Sequence, residues 1–338
     1  MIFRFIKMRM TWMIKVIFFY TGVFALIRKF RPNRKLAILR YHAVVDGRDN
    51  YYASPSISIS RRQFERHVRY FAKNYTIISL DEAVKKLRAK KPLPANAVVF
   101  TFDDGYADNF YAHEILKKYG GTGTFYLTAE CIDRKEPFWL SEVIYLFLHG
   151  RRNEASIHLD DEVYEYKLDN KLKKWRAIQA VVALIKSNNR DVRERIRKQL
   201  RDQLEPADFE RKLDAVMLTW DQVRTMHEAG MTMAAHTLTH LNLPNAEPED
   251  ALHEISGCKK LLEEKLQAPV LHFSYPNSGP YKYYTEEIRD MVEKSGYLSS
   301  TTSYAGFADE NSDFFAIRRV RTVSSLVETV AGLELSKL

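Results

Sequence analysis

The sequence predicts an α/β fold in which parallel strands alternate with helices. One basis is the continuous apolar run at residues 97–102 (AVVFTF), which is typical of a strand buried on both faces. The other is the succession of helical periodicity and short strand-like runs along most of the chain, which favours parallel strands joined by helices. With 338 residues, 46% of them apolar, the chain is long enough for one large catalytic domain or two smaller ones.

The elements are assigned in chain order from these two patterns. A strand at residues 36–41 (LAILRY) precedes a polar loop. Ser60 suits the N-cap of a helix whose apolar residues Phe64, Val68 and Phe71 recur at helical spacing. The further strands are predicted at 75–79, 97–102, 124–128, 231–235, 270–275, 299–302 and 315–320, and the further helices at 81–88, 110–118, 220–229, 249–265 and 285–295.

Three segments lie outside this core, which spans residues 36–325. Residues 1–35 are basic and apolar, and residues 326–338 are expected to form a C-terminal tail. Residues 134–212 are charge-rich with helical periodicity, which predicts a helical insertion. The basic residues of this insertion favour a solvated helix face, and a membrane-facing or glycan-facing patch is the alternative.

The first 35 residues predict an amphipathic helix at a membrane surface. Residues 12–27 are apolar apart from Lys15. At about 1.5 Å per residue they reach about 24 Å, short of the roughly 30 Å of a hydrocarbon core. No cleavage site of small residues follows the run, which argues against a signal peptide. The flanking cations and aromatic residues such as Trp12 favour a helix in the headgroup region; a membrane span and a helix packed on the protein itself are the alternatives.

The net charge limits the classes of binding partner that we expect, and the cysteine content indicates the cellular compartment. The net charge of +9 suggests an anionic partner, either a membrane surface or a glycan, although ordinary solvation of the surface cations is the favoured interpretation. Nucleic acid is not expected, because the sequence contains no zinc-finger spacing and no RNA-binding or basic-zipper pattern. The two cysteines, Cys131 and Cys258, form no CxxC motif, which fits a reducing compartment. We therefore expect a protein of bacterial type in the cytoplasm or on the cytoplasmic face of the membrane.

The first motif with chemical content is TFDDGY at residues 101–106. Asp103 and Asp104 follow the buried strand directly, at the strand end where α/β enzymes place catalytic groups. Two adjacent carboxylates repel each other, and a bound cation would relieve that repulsion. One carboxylate as metal ligand and the other as a free base is therefore a coherent arrangement. In the alternative, Asp104 caps the next helix and Asp103 is solvated.

The second motif is HTLTH at residues 236–240, again after a strand-like run. Two imidazoles four residues apart project to the same side of a helical turn and can share a metal. Together with the acidic motif they predict a divalent metal bound by Asp104, His236 and His240. Three protein ligands leave open positions for water and substrate, as in a catalytic site.

These two motifs, in this order, resemble those of the polysaccharide deacetylase (NodB homology) family, carbohydrate esterase family 4. The resemblance covers about residues 36–325. It implies a distorted parallel (β/α) barrel, a zinc-like ion and removal of acetyl from N-acetylhexosamine. It also implies that Asp103 is the general base, while Asp104, His236 and His240 bind the metal.

The third motif of the family departs from the pattern. The segment FSYPNSG has Ser274 where the family has an arginine and Asn277 where it has a tyrosine. The backbone N–H of Asn277 is expected to take over the oxyanion contact of that tyrosine. Arg319 or Arg321 is the predicted replacement for the arginine.

The family's C-terminal histidine is missing as well, since no histidine follows His272. His42, at the end of the first core strand, is the predicted general acid, because the ends of parallel strands share one barrel face. A branch of the family that acts on poly-β-1,6-linked N-acetylglucosamine is similar in taking its acid from this strand. A core histidine without a catalytic role is the alternative.

The residues expected to bind substrate are Tyr106, Tyr275, Asn277 and Arg319, with Trp139 as a further aromatic candidate. Stacking on sugar rings is one role for the three aromatic residues, and core packing is the other. The predicted function is metal-dependent removal of N-acetyl groups from an amino-sugar-containing polysaccharide or lipid-linked saccharide. An O-acetyl esterase on the same scaffold and a non-catalytic glycan-binding protein are the alternatives.

Overall fold

The fold is a closed parallel β-barrel surrounded by helices. The computed structural model describes residues 2–132, 137–278 and 283–336, with the side chains of residues 2–8 left out. Its strands are β1 (Ala37–Tyr41), β2 (Ala43–Val44), β3 (Ser58–Ile59), β4 (Thr76–Ile77), β5 (Ala97–Phe102), β6 (Gly123–Leu127), β7 (Glu154–Leu159), β8 (Glu162–Lys167), β9 (Thr232–Ala235), β10 (His272–Ser274), β11 (Ser299–Ala305) and β12 (Ile317–Arg321). The predicted parallel (β/α) barrel is confirmed.

Seven parallel strands close the barrel. Their order is β1-β12-β11-β10-β9-β6-β5, and pairing of β5 with β1 completes the ring, while β4 adds to β5. In the pairing of β1 with β5 that closes the barrel, Arg40 lies beside Thr101 and Tyr41 lies beside Phe102. Every residue of β5 is buried, as expected for a strand covered on both faces.

Helices lie around this barrel and in the insertion between β6 and β9. They are α1 (Ile2–Tyr20), α2 (Val23–Phe30), α3 (Arg61–Asn74), α4 (Leu80–Arg88), α5 (Asn109–Lys118), α6 (Trp139–His149), α7 (Lys171–Lys186), α8 (Arg190–Leu204), α9 (Phe209–Leu213), α10 (Trp220–Glu228), α11 (Pro248–Leu266), α12 (Glu286–Lys294) and α13 (Leu326–Leu335). Ser60 caps α3 as predicted, through a capping box with Gln63.

Side-chain alternation along the strands divides the core into two layers. Ile38, Val99 and Ile317 belong to one apolar cluster, which also contains residues of α4. Their strand neighbours Leu39 and Phe100 belong to the larger cluster that packs against the outer helices. Because successive side chains of a strand point to opposite faces, the first cluster fills the barrel interior.

The insertion between β6 and β9 is not wholly helical, which corrects the prediction for residues 134–212. It contains an antiparallel hairpin of β7 and β8 as well as helices α6 to α9. In β7, Ala155, Ile157 and Leu159 are buried at alternating positions, and Asp160 has the positive φ (53°) of a tight turn. This period-two pattern is the signal that the helical interpretation missed. The predicted start at residue 134 lies outside the described residues.

Part of the charge in the insertion is buried, contrary to the solvated-face interpretation. Glu142 is fully buried and accepts hydrogen bonds from Arg197 (2.8 Å) and Arg201 (2.6 Å). Arg193 is also buried and donates to the backbone oxygen of Thr239 (3.2 Å). These arginines hold α8 against α6 and against the loop after β9.

The N-terminal segment forms two helices rather than one, and α13 replaces the predicted C-terminal tail. Phe24 is buried in the main core, and Arg28 forms an ion pair with Glu334 of α13 (3.4 Å). On α1, Lys15 pairs with Glu328 of α13 (2.6 Å). Val330, Ala331 and Leu333 of α13 are buried at helical spacing, so the apolar end of the chain is part of the core. Residues 337 and 338 lie outside the described part.

One face of α1 and α2 is left in solvent. The exposed apolar side chains of these two helices are Met10, Trp12, Met13, Ile14, Ile17, Tyr20, Leu26 and Phe30. Within the described ranges, no single helix is both long and apolar enough to cross a membrane. Residues 9–20 and 23–30 reach that length and apolarity only together, and a 70° bend separates them.

Candidate active site

The predicted metal ligands, base and acid meet in one cleft at the carboxyl end of the barrel. Its volume is about 610 Å³. The cleft is lined by Asp103 and Asp104 after β5, His236 and His240 after β9, and His42 after β1. Parallel strands bring their carboxyl ends to the same rim, which is why residues far apart in sequence converge here.

Asp104, His236 and His240 offer three ligand atoms at the spacing of a metal site. The Asp104 Oδ1 atom lies 3.5 Å from His236 Nε2 and 3.4 Å from His240 Nε2. Metal–ligand bonds of 2.0–2.2 Å in a tetrahedral arrangement place neighbouring ligand atoms about 3.4 Å apart. All three side chains are buried. The residues therefore fit a zinc-like divalent ion.

The protonation states of the three groups suit this role. Burial opposes ionisation of Asp104, but hydrogen bonds with His236 and His240 outweigh it and hold its pKa well below the usual range. Burial lowers the pKa of His240, which favours the neutral imidazole that a metal needs. His236 Nδ1 lies 2.7 Å from the carbonyl oxygen of Ser274. That contact assigns the proton to Nδ1 and leaves Nε2 free as a ligand.

The two histidines converge through a bend, not through the helical turn that the sequence predicted. Thr237 (φ 65°) and His240 (φ 57°) both adopt left-handed backbone conformations. The Thr237 hydroxyl accepts a hydrogen bond from the His240 N–H (3.0 Å). Between the histidines, Thr239 donates through its N–H to Glu254 (2.8 Å) and accepts from Arg193. The surrounding helices thus hold a strained loop, as is common at functional sites.

Asp104 also has a positive φ, of 79°, followed by Gly105 at 87°. This turn separates the two adjacent carboxylates, so that Asp104 faces the histidines while Asp103 faces β12. A Cβ atom added at position 105 would lie 3.3 Å from the side chain of Leu127. The positive φ of Gly105 also favours glycine.

Asp103 is held by a bidentate contact with Arg319. Nη1 of the arginine donates to Oδ1 (2.6 Å), Nη2 donates to Oδ2 (2.8 Å), and both side chains are buried. Burial raises the pKa of Asp103, but Arg319 and then His42 outweigh that effect and lower it to about 2. Nη2 also donates to the Ser274 hydroxyl (3.1 Å). The small side chain of Ser274 leaves room for a guanidinium that arrives from another strand.

This contact corrects the assignment of Arg319 to substrate binding. The guanidinium is 2% exposed and donates through Nε to the Thr302 carbonyl oxygen as well. It therefore orients Asp103 instead of reaching into the cleft. Of the two arginines predicted to replace the family residue, Arg319 occupies the position beside Asp103, whereas Arg321 lines the rim of the cleft.

His42 lies beside the same carboxylate. Its Nε2 is 3.6 Å from Asp103 Oδ2, and its side chain is 18% exposed toward the cleft. Burial lowers the pKa of His42 to about 4, although Asp103 and Asp104 act in the opposite direction. The imidazole is therefore neutral at pH 7 unless it receives a proton within the site.

Asn277 contributes a free backbone donor to the cleft. Its φ is 74°, and its N–H has no acceptor among the residues that the structure describes. The side-chain amide donates to Asn242 Oδ1 (3.3 Å), which fixes the loop. Gly279, at the end of the third motif, lies outside the described residues.

The aromatic candidates are core residues. Tyr106 is fully buried against Tyr52 and Phe138, so it cannot stack on a sugar. Tyr275 borders the cleft but is 1% exposed, and its hydroxyl donates to the Phe315 carbonyl oxygen (2.8 Å). Trp139 is buried beneath His240 and donates to its backbone oxygen (3.3 Å). Of the two roles considered for these rings, the structure supports packing.

Sequence reasoning missed two cations and an apolar wall in the cleft. Arg40 lies two residues before His42 on the same strand face, so the period of two could have identified it. Lys186, on α7, was one of many basic residues in the insertion and carried no distinguishing signal. The wall consists of Leu140 and Ile144 of α6 and Trp175, Ile178 and Val182 of α7.

Comparisons with known proteins agree with this geometry. A family model for polysaccharide deacetylases matches residues 90–299. Over 300 residues the chain is 23% identical to YxkH of Bacillus subtilis (strain 168), provisionally named a polysaccharide deacetylase, covering 88% of this chain and 75% of that protein.

Two solved structures share the fold. Deacetylase PplD of Streptococcus pyogenes, in complex with acetate, is 18% identical with a TM-score of 0.57, covering 88% of this chain and 97% of that chain. IcaB from Ammonifex degensii is 17% identical with a TM-score of 0.56, covering 90% and 98%. At these identities the likeness concerns the fold alone.

Proposed function

Because the chain belongs to the polysaccharide deacetylase family, we propose that it is a metal-dependent hydrolase that removes N-acetyl groups from an amino-sugar-containing glycan or lipid-linked saccharide. The observation that supports this proposal most strongly is the convergence of Asp104, His236 and His240 beside the Asp103–Arg319 pair. These residues provide a ligand set and a separately held carboxylate in one cleft, as hydrolysis requires.

The divalent ion would be held by Asp104 Oδ1 and the Nε2 atoms of the two histidines. When bound, it would polarise the acetyl carbonyl group and lower the pKa of a water molecule. Asp103 then serves as the base, because its carboxylate is ionised above about pH 2 and Arg319 fixes both of its oxygens. The Asn277 N–H would donate to the oxygen on which negative charge develops.

His42 supplies the proton for the departing nitrogen. Since its imidazole is neutral at pH 7, it must first accept a proton, and Asp103 Oδ2 at 3.6 Å is the neighbouring source. The proton taken from water by Asp103 can thus pass to His42 Nε2 and then to the amine. An amide nitrogen leaves only when protonated, whereas an ester oxygen depends less on an acid, so His42 favours an N-acetyl substrate.

Acetate release tests this proposal directly. The purified full-length protein is incubated with N-acetylated and matched O-acetylated sugars, before and after chelation and after addition of Zn²⁺. We expect acetate from the N-acetylated sugars, loss of turnover on chelation, and recovery with the metal. Faster release from the O-acetylated sugars would favour the esterase instead. A metal-free protein that binds glycan without releasing acetate would favour the non-catalytic alternative.

We also propose that α1 and α2 bind the surface of an anionic membrane, on the cytoplasmic leaflet. Their exposed apolar side chains lie beside basic residues, among them Lys29, Arg31 and Arg34. A helix of this composition places its apolar face at the acyl boundary while its cations contact anionic headgroups. The packing of Phe24 and Arg28 on the core leaves that face outward.

Co-sedimentation with lipid vesicles tests the membrane proposal. Ile14→Asp and Ile17→Asp introduce charge on the exposed face of α1, and Leu172→Asp on the exposed surface of α7 is the matched control. We expect the α1 variants to lose binding to vesicles that contain phosphatidylserine or phosphatidylglycerol, while the control variant retains it. Equal binding by all three variants would contradict the proposal.

A further inference from the structure

The cleft contains two arginines that the deacetylation chemistry does not use. Arg40 on β1 and Arg321 on β12 are register partners in adjacent parallel strands, and both line the cleft. Like charges on neighbouring strands destabilise a sheet. An anion bound between the two guanidinium groups would relieve their repulsion, and neither strand supplies one.

The carboxylates of the cleft are already engaged elsewhere. Asp103 is paired with Arg319, and Asp104 belongs to the ligand set. The guanidinium of Arg40 forms no hydrogen bond or ion pair with any residue in the described ranges. Within the same ranges, the guanidinium of Arg321 donates only to the carbonyl oxygen of Ser56 (3.3 Å). Burial lowers the pKa of Arg40 to about 10, with Arg319 adding to the effect, so Arg40 stays charged at neutral pH.

Further positive charge lies across the same cleft. Lys186 lines the opposite side, where burial lowers its pKa to about 8 while Asp104 raises it. It therefore remains mostly protonated at pH 7. A divalent ion between Asp104 and the histidines would add two more positive charges. A cleft with this balance attracts anionic ligands and disfavours cationic ones.

We propose that the cleft binds an acetamido sugar that bears an anionic group, a phosphate or a carboxylate, and that Arg40 and Arg321 contact this group. The proposal rests on the deacetylase function and specifies its substrate class. A guanidinium binds either anion through two parallel N–H donors, which fixes orientation as well as position. The apolar wall of Leu140, Ile144, Trp175, Ile178 and Val182 favours a phosphodiester that continues into a lipid.

The kinetic test compares four substrates of the full-length, metal-loaded protein. They are a neutral N-acetylglucosamine oligosaccharide, N-acetylglucosamine 1-phosphate, N-acetylmuramic acid, and N-acetylglucosamine joined to a polyprenyl chain by a phosphodiester, in detergent. We expect kcat/KM for the preferred anionic substrate to exceed that for the neutral one at least tenfold. Which of the three anionic substrates is fastest identifies the source of the anion.

Variants connect this preference to the two arginines. Arg40→Gln should reduce the ratio of anionic to neutral kcat/KM about tenfold or more, mainly through KM, and Arg40→Lys should retain part of it. Arg321→Gln, at an exposed position, should reduce the ratio without affecting folding. Arg318→Gln is the control, because it removes the same charge from the outward face of β12. Equal rates on neutral and anionic sugars, or an unchanged ratio in Arg40→Gln, would overturn the proposal.

A binding measurement separates this proposal from the proposed function. Calorimetric titration of N-acetylglucosamine 1-phosphate into the wild type should give a Kd that Arg40→Gln weakens at least tenfold and Arg318→Gln leaves unchanged. If this result is obtained but no substrate yields acetate, the deacetylase proposal fails and the anion site stands. If acetate is released but Arg40→Gln binds the phosphate as tightly as the wild type does, the anion-site proposal fails and the deacetylase proposal stands.

Discussion

Arg319 donates to both carboxylate oxygens of Asp103 from a strand 216 residues further along the chain. Both side chains are buried, and Arg319 forms no other ion pair among the residues that the structure describes. The pair therefore determines two properties together, the orientation of the proposed base and the stability of the barrel rim.

Replacement of Arg319 by Gln should affect both properties. An unpaired buried charge destabilises a protein by about 3–5 kcal/mol, so the free energy of unfolding should fall by about that amount at pH 7. Loss of orientation should reduce kcat by about 10²-fold. Urea titration and initial rates measure the two effects. The double variant Asp103→Asn/Arg319→Gln should recover much of the stability, because no charge is left unpaired. If Arg319→Gln were as stable as the wild type, the buried ion pair would not contribute to stability as proposed.

Asp103→Asn should abolish turnover without releasing the metal. The amide keeps the shape of the side chain but cannot accept a proton, and loss of a general base reduces rates by about 10²–10⁴-fold. Acetate release and elemental analysis of the same sample measure both quantities. The matched variant Asp104→Asn should lose metal as well as activity. Normal turnover by Asp103→Asn would exclude it as the base.

His42→Asn should slow amide hydrolysis much more than hydrolysis of an activated ester. The leaving amine needs a proton, whereas a nitrophenolate leaves without one, so we expect a loss of about 10²–10⁴-fold with N-acetyl sugars and a far smaller one with nitrophenyl acetate. Metal content should stay constant. The same decrease with both substrates would point to a positioning role for His42.

Metal binding should stabilise the fold in proportion to its occupancy. A ligand at about 1,000 times its Kd stabilises the native state by about 4 kcal/mol, so chelation should lower the Tm measurably. His240→Gln should remove most of this shift, whereas His158→Gln, at an exposed histidine of the β7–β8 hairpin, should leave it unchanged. A Tm that changes neither with chelator nor with Zn²⁺ would argue against a metal at this position.

Asp108 should make the protein less stable as the pH rises from about 4 to about 6. Burial raises its pKa to about 6 in the folded state, against 3.8 for an ordinary Asp. Below both values the carboxyl is protonated in the folded and unfolded chains, and above both it is ionised in each. In between, the unfolded chain ionises first, so ionisation favours unfolding by up to about 3 kcal/mol.

Urea midpoints between pH 4 and pH 7 measure this effect. Asp108→Asn should flatten the decrease, although it weakens the hydrogen bond from Tyr52 (2.5 Å) and therefore lowers stability at pH 4. Identical pH profiles for the variant and the wild type would show that Asp108 is not the group responsible.

The sequence was sufficient for the elements with strong local signals. Residues 97–102 and the Ser60 capping box follow from local composition, and the structure has both. The grouping of Asp104 with the two histidines followed from the two motifs at strand ends, whereas the closed barrel needed the family resemblance, since local patterns do not specify which strands pair. Local signals also misled, because HTLTH has helical spacing but forms a bend with two left-handed residues.

Other features depended on tertiary packing that no local pattern encodes. Arg319 and Arg321 project from the same face of β12, so only the register of that strand against the barrel decides which one reaches Asp103. The helix at the C-terminus becomes core because α1 and α2 lie against it. The burial of Arg193 and Arg197 likewise follows from the acidic and carbonyl groups that face them.

The position of Arg319 on the last barrel strand has a consequence for biosynthesis. Once β11 has been synthesised, the nascent chain contains all three proposed ligands, the proposed base and the proposed acid. It does not yet contain the guanidinium that orders the base. The nascent chain then lacks both the closing strand and the countercharge for Asp103. Because β12 both closes the barrel and supplies this guanidinium, a chain truncated before β12 should lack the closed barrel and the ordered carboxylate together, and the proposed activity of such a chain would report on whether its barrel has closed.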